Sequence, residues 1–247
     1  MIYRHASAAL LLRDGFTGRP LSSGAQVFAR LDGAPVRPVW KAGGYLVLTD
    51  LAPGPHVLHL RHRCFQEEQL AFEAVQARTW ETEVDLLPGP EYPFRVRPAR
   101  LELTVFQAGV PLAGEQVWIG RYDPAQLKLA QDGGQASGTD LRLYCKGDPQ
   151  TLPIPGWFMA PDRNGPELLH LLFFRGETGT LEAPMSHPHP RGLQFLPARP
   201  YRTDGAGGLA ALFPEEGELC LYCRGRLRQA RASQEGGTLE WHLEEEG

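Results

Sequence analysis

The chain has 247 residues, 42% hydrophobic and 22% charged, with a formal net charge of −4 and a pI of about 6.1. That composition is globular rather than disordered, and without a basic stripe nucleic acid is excluded as the expected partner. Glycine (28) and proline (22) together make up about a fifth of the chain, against about 12% in average usage; such an excess of turn formers favours many short strands over long helices.

The N-terminal apolar segment, Ala6 to Leu12, is short and ends at Arg13-Asp14. It has neither the basic flank nor the small-residue cleavage site of a signal peptide, and no apolar run approaches the roughly 20 residues of a membrane helix. Synthesis in the cytoplasm and no membrane partner are therefore expected. Turn chemistry follows from Asp14 to Leu21, and Ala25 to Leu31 then reads as a strand. Gly44 to Thr49 alternates Tyr45, Val47 and Thr49 with Leu46 and Leu48, the pattern of a strand covered on both faces.

After the turn Leu51 to Pro55 come His56, His59 and His62, then Cys64. This spacing invites a metal reading, but the turn before it and the alternation within it predict a strand. On a strand His56 and His62 share a face about 20 Å apart, at roughly 3.3 Å per residue, and His59 points the other way. Ligands cannot converge on one ion from such a segment, so no metal is expected. Leu70, Phe72 and Ala74, and then Trp80, Thr82, Val84 and Leu86, also recur at period two, predicting two more strands. Leu87 to Pro98 carries four prolines and a glycine, a stiff segment poor in ladder donors. It predicts a boundary, with domain 1 at 1–88 and a linker at 89–98.

The ordered series Asp14, Thr17-Gly18, Pro20-Leu21, Gly24-Ala25, Val27, Gly44-Tyr45, Leu48, Leu51, Pro53-Gly54, Val57 and Leu60 resembles the carboxypeptidase regulatory-like domain. The resemblance runs from Leu10 to about Leu87 and implies a transthyretin-like seven-stranded β-sandwich. It also implies a non-catalytic module, since in zinc carboxypeptidases this domain accompanies the enzyme without doing its chemistry.

The pattern returns further along. Gly18 to Val27 is echoed by Gly109 to Val117, each preceded by an extended apolar stretch. Gly43 to Leu48 resembles Gly207 to Phe213, and Gly54 to Arg63 lies without a gap on Gly217 to Arg226, placing Leu58 on Leu221 and Leu60 on Cys223. A third echo, Leu141 to Gly147 against Leu219 to Gly225, divides the reading of the remainder. It is either two compact units, 99–152 and 153–247, or one sandwich spanning 99–247 with a long insertion. Asp123 as N-cap, Pro124 at the first helical position and Gly133 beyond predict one short helix between Asp123 and Asp132.

Four cysteines, Cys64, Cys145, Cys220 and Cys223, are too scattered for a disulfide framework. The CxxC at Cys220–Cys223 lies in a strand pattern that sends its two sulfurs to opposite faces, so two buried thiols are expected rather than a redox or zinc site. His187 and His189 lie in an extended Pro-rich loop with no ligand partner at short spacing. Among these motifs there is no GxSxG, P-loop or GxGxxG opening a helix, so no catalytic residue and no cofactor are assigned. The stretch Pro155 to Pro166 places Trp157, Phe158 and Met159 together between prolines. They form a candidate interface loop, since large apolar side chains on a stiff loop are typical anchors at interfaces; the competing reading is an interdomain plug.

The expected fold is all-β: tandem transthyretin/Ig-like β-sandwich domains. The expected role is a non-enzymatic structural or adaptor protein with protein partners in a larger assembly, such as a phage-tail-like or contractile injection particle. A carbohydrate- or cell-surface-binding module that uses Trp157 or Trp118 is the alternative. A hydrolase using His170, His187 or His189 is the second alternative.

Overall fold

The period-two rows of the sequence become strands in the computed structural model of the protein, which describes residues 5–22, 26–122, 126–131, 138–149, 152–163 and 165–244. No α-helix occurs among the described residues, and none is therefore long and apolar enough to cross a membrane. The chain divides into two units, Met1–Val96 and Arg97–Gly247.

Unit 1 contains β1 (Ala6–Asp14), β2 (Val27–Leu31), β3 (Ala34–Val36), β4 (Val39–Lys41), β5 (Tyr45–Thr49), β6 (Gly54–His62), β7 (Glu68–Ala74) and β8 (Trp80–Leu86). They form two four-stranded sheets, β4-β5-β1-β8 and β3-β2-β6-β7. Alternate residues of each sheet point at the other. Leu10, Leu12, Leu46, Leu48, Val84 and Leu86 come from the first sheet. Ala29, Leu31, Leu58, Leu60, Phe72 and Ala74 come from the second, and all pack into one buried cluster. Each fully buried leucine contributes roughly 1.5–3 kcal/mol over an exposed one, so this shared face is what holds the two sheets together. The last strand returns to the first: β8 lies parallel to β1, with Leu12 opposite Val84. Much of the proline-rich stretch after β8 packs back on unit 1. Tyr92 donates to Asp14 Oδ2 at 2.6 Å, and its ring meets Phe16, Phe65 and Phe94.

Unit 2 contains β9 (Ala99–Gln107), β10 (Val110–Pro111), β11 (Gln116–Arg121), β12 (Gln126–Leu129), β13 (Asp140–Lys146), β14 (Gly156–Ala160), β15 (Glu167–Arg175), β16 (Thr178–Leu181), β17 (Gln194–Arg202), β18 (Gly208–Phe213), β19 (Gly217–Cys223), β20 (Arg226–Ala232) and β21 (Thr238–His242). One sheet runs β10-β9-β18, with β21 parallel to β9 on its other side. The second is a nine-stranded path, β12-β13-β16-β15-β14-β17-β11-β19-β20. Because β12 also pairs with β17, its first six strands close into a barrel. The barrel is filled by Leu127, Leu129, Leu141, Leu143, Leu152, Phe158, Leu169, Leu171, Leu181 and Phe195. Strand β17 serves both parts. Phe195 faces Leu127 in the barrel, whereas Ala198 to Arg202 face Gly120 to Gln116 on β11. The expected helix is not formed among the described residues: Gln126 to Leu129 is strand β12, paired with β13 and β17, while Asp123 and Pro124 lie outside them. Tertiary pairing overrides the helical start signal there.

Outside the barrel, unit 2 repeats the plan of unit 1. Strands β1, β5 and β8 correspond to β9, β18 and β21, with the same antiparallel and parallel senses. Strands β2, β6 and β7 correspond to β11, β19 and β20. The equivalence extends to one corner. Leu12 N donates to Gly44 O and Leu21 N to Leu12 O; in unit 2 Val105 N donates to Gly207 O and Leu112 N to Val105 O. Gly44 and Gly207 both have positive φ, 88° and 75°. A Cβ on either would press within about 3 Å of a proline Cβ and of the same two backbone atoms. One detail differs from the sequence pairing. Across the ladders Ala29 faces Leu60 and Ile119 faces Leu221; with Val27 and Val117 equivalent, Leu60 therefore matches Leu221 and not Cys223.

Candidate functional site

Strand β14 carries the three residues Trp157, Phe158 and Met159, and its alternation separates them. Phe158 is fully buried in the barrel core. Met159 points the opposite way and is also fully buried, packed with Leu196, Ala198 and Cys220 between the barrel wall and strands β11 and β19. Trp157 remains 39% exposed. These residues are therefore a strand and not a loop, and only Trp157 is accessible. Its ring tilts against Trp118 of β11 at 5.1 Å and stacks on His170 of β15 at 4.9 Å. His170 Nδ1 lies 3.0 Å from Glu182 Oε2. The register supplies this grouping, since Trp157 and His170 are directly opposed across β14 and β15. The exposed Phe173 lies on β15 beyond a break in its register with β16.

Two of the three histidines of β6 brace the fold. His56 Nδ1 meets Asp32 Oδ2 at 2.7 Å and its Nε2 meets the Ala52 carbonyl at 2.8 Å. Asp32 also accepts from Val57 N. The Ala52 carbonyl and the Asp32 carboxylate together raise the His56 pKa, while the bond from His56 holds Asp32 below the usual carboxylate range. The imidazole thus ties the turn after β2 to the start of β6. His62 accepts from Cys64 N at 3.0 Å, and burial lowers its pKa. His59 is exposed on the other face of β6, opposite Arg30 and Gln69.

His189 was not legible in sequence as a paired group, because its partners are far away in the chain. Its side chain is fully buried. Nδ1 is 3.2 Å from Asp162 Oδ2 and Nε2 is 2.9 Å from Glu167 Oε1, and Glu167 also accepts from Ser186 N. Burial works against the charge on both groups, yet the hydrogen bonds outweigh it. The His189 pKa is raised and that of Glu167 is lowered. Held between two carboxylates, the His189 ring ties the loop after β14 and the start of β15 to the loop before β17. With both ring nitrogens engaged, it is placed to brace and not to shuttle a proton. The nearby His187 ring packs over Gly165. Among the described residues no group of three or more His, Cys, Asp or Glu side chains is placed to hold a metal.

The CxxC cysteines are both buried in β19, where burial pushes each thiol up to about 11. Cys220 faces the barrel-side cluster, and Cys223 lies on the other side of the strand's alternation. In that state they are poor nucleophiles. All four cysteines are free thiols.

The chain matches no family model and no curated protein. Among solved structures it is similar to the TIE protein of Bacillus anthracis, at 9% identity and a TM-score of 0.28; the match covers 96% of this chain, which spans half the length of that one. It is also similar to the shaft pilin SpaA of Lactobacillus rhamnosus GG, at 11% identity and a TM-score of 0.26, over 95% of both chains. A third similarity is to BcpA, the major pilin subunit of Bacillus cereus, at 9% identity and a TM-score of 0.28, over 97% of this chain and 99% of that one. Scores this low do not establish a shared fold.

Proposed function

We propose that the chain is a non-enzymatic structural or adaptor protein, a subunit of a larger assembly of the phage-tail or contractile-injection kind, made in the cytoplasm and built into the particle there. In this reading unit 1 is a transthyretin-like sandwich of the carboxypeptidase regulatory-like type, and unit 2 is a related sandwich with a barrel inserted between its second and later strands. The observation that carries the reading is how the histidines are used. His56 and His189 each spend both ring nitrogens on contacts that join strands or loops, which is the economy of a scaffold. The test is purification of the tagged chain from its own host under native conditions. Co-purification with other proteins at a size well above the 27.4 kDa monomer is expected. A chain recovered only as a monomer without partners overturns the proposal.

The exposed Trp157, set against Trp118 and His170 beside Glu182, favours a second reading as a carbohydrate- or cell-surface-binding module. Aromatic faces next to a polar group are the usual recognition elements of such sites. Titration with a panel of glycans while following tryptophan fluorescence tests it. A saturable change lost in Trp157→Ala supports binding, and no change with any glycan removes it.

A further inference from the structure

Strands β7 and β20 occupy the same place in the two sandwiches, each following the strand that pairs with β2 or β11. Each also ends its sheet, so among the described residues it has a ladder on one side only. An open edge is a template for another strand, and charge is the usual guard against unwanted pairing. Here the guards have opposite signs. β7, EQLAFEA, carries Glu68 and Glu73 and no cation; β20, RLRQARA, carries Arg226, Arg228 and Arg231 and no anion. Both strands have seven residues.

We propose that β7 of one copy of this chain pairs with β20 of the next, extending the chain into a head-to-tail assembly. The spacing of the charges argues for it. Glu68 and Glu73 are separated by the same five positions as Arg226 and Arg231. An antiparallel register that sets Glu73 opposite Arg226 therefore also sets Glu68 opposite Arg231. Because five is odd, the two pairs fall on opposite faces of the joint, and each face gains one opposite-charge cross-strand pair. The same register sets Phe72 opposite Leu227. In an in-register antiparallel pairing of β7 with itself, Glu68 meets Glu73 twice. β20 with itself sets Arg226 against Arg231 in the same way, so like edges repel on both faces. Arg231 already has an exposed contact with Glu218 at 3.6 Å, a weak surface pair that leaves it able to take a second partner. Since the two edges differ, the contact is heterologous and either propagates or closes into a ring.

The inference rests on the reading of the chain as an assembly subunit and specifies how copies join. The experiment is sedimentation velocity of the full chain over a range of concentrations at about 0.05 M and about 0.5 M salt, where screening lengths differ severalfold. Wild type should at least double in average mass at low salt and return toward monomer at high salt. Glu68→Arg/Glu73→Arg and Arg226→Glu/Arg231→Glu should each remain monomeric alone, and an equimolar mixture of the two should recover association. Glu68→Gln/Glu73→Gln, a milder change, should associate weakly and with little salt dependence. Matching melting curves establish that the variants fold. Wild type that stays monomeric at low salt, reversal variants that associate like wild type, or a mixture that stays monomeric overturns edge pairing. A monomeric wild type that still co-purifies with other host proteins overturns the pairing alone and leaves the subunit reading standing.

Discussion

At the scale of single residues, two features carry more than their size suggests. Gly207 sits at the corner that unit 2 shares with unit 1, at φ 75°. An added Cβ would come to 2.8 Å from the Pro111 Cβ, 3.0 Å from Leu112 N and 3.1 Å from Val105 O. Two of these atoms are backbone and cannot swing aside. Gly207→Ala should therefore cost about 2–5 kcal/mol, combining left-handed strain with overpacking. Gly33→Ala, at φ 82° with nothing within 4 Å, should cost only about 1–2 kcal/mol; urea unfolding of both variants checks the difference. The His189 clamp sets a pH dependence. Its raised pKa means that its contribution is complete below the ordinary value of 6.5 and is lost as pH rises through the folded value. Glu167, held below its ordinary 4.5, contributes above that value and loses its contribution as pH falls through its folded pKa. The clamp is thus strongest between about 4.5 and 6.5. His189→Leu leaves two buried carboxylates without their cation and should cost about 3–5 kcal/mol at pH 6. It should also flatten the decline in stability above pH 6.5, leaving a slope of the same sign from His56. A variant with the wild-type profile would show that the clamp does not titrate.

At the scale of elements, alternation decides what a side chain can do. Three consecutive large apolar residues on β14 go to different places: Phe158 inward to the barrel, Met159 to the cluster on the other face, and Trp157 to the rim of that same face. Phe158→Ala should cost about 3–5 kcal/mol. Trp157→Ala, which removes a partly exposed ring stacked on His170, should cost less than half as much while changing the fluorescence spectrum through loss of the Trp118 contact. Chemical denaturation of the two variants compares them; equal costs would mean that Trp157 is also a core residue. The candidate site was only partly legible in sequence for this reason. Trp157, Phe158 and Met159 stand out in the sequence as large and adjacent, but the flanking prolines suggest a loop, and nothing local shows that both faces of β14 are covered. The two-residue offset between the ladders and the sequence pairing of the repeats has a similar origin. A shift of two leaves every side chain on its original face, so Leu60 matches Leu221 or Cys223 equally well by alternation alone. The histidines of β6 were readable, because a strand at period two separates His59 from His56 and His62 whatever lies around them. His189 was not, since Asp162 and Glu167 lie 27 and 22 residues from it in the chain.

At the scale of the whole molecule, what the sequence showed best is what recurs: the turn before each glycine corner, and the alternating strand after each second turn. The barrel was hidden because its closure depends on β12 meeting β17, with Leu127 opposite Phe195, 68 residues further along the chain, and such non-local pairing leaves no short-range pattern. The same distinction predicts how the molecule comes apart. Every residue of the unit 1 core, from Ala8 to Leu86, lies within the first 96 residues, and Tyr92 joins it from the proline-rich stretch. Among the described residues its sheets likewise draw no strand from beyond β8. A fragment of residues 1–96 should therefore fold alone, with β-type circular dichroism and a single cooperative urea transition. Ending the fragment at 88 instead removes Tyr92 with its bond to Asp14 and its contacts with Phe16 and Phe65, and should lower stability by about 1–3 kcal/mol. In the full chain this unit should melt at the midpoint of the isolated fragment. A 1–96 fragment that is unfolded, or that melts many degrees below the corresponding transition of the full chain, would show that unit 1 draws its stability from beyond its own core.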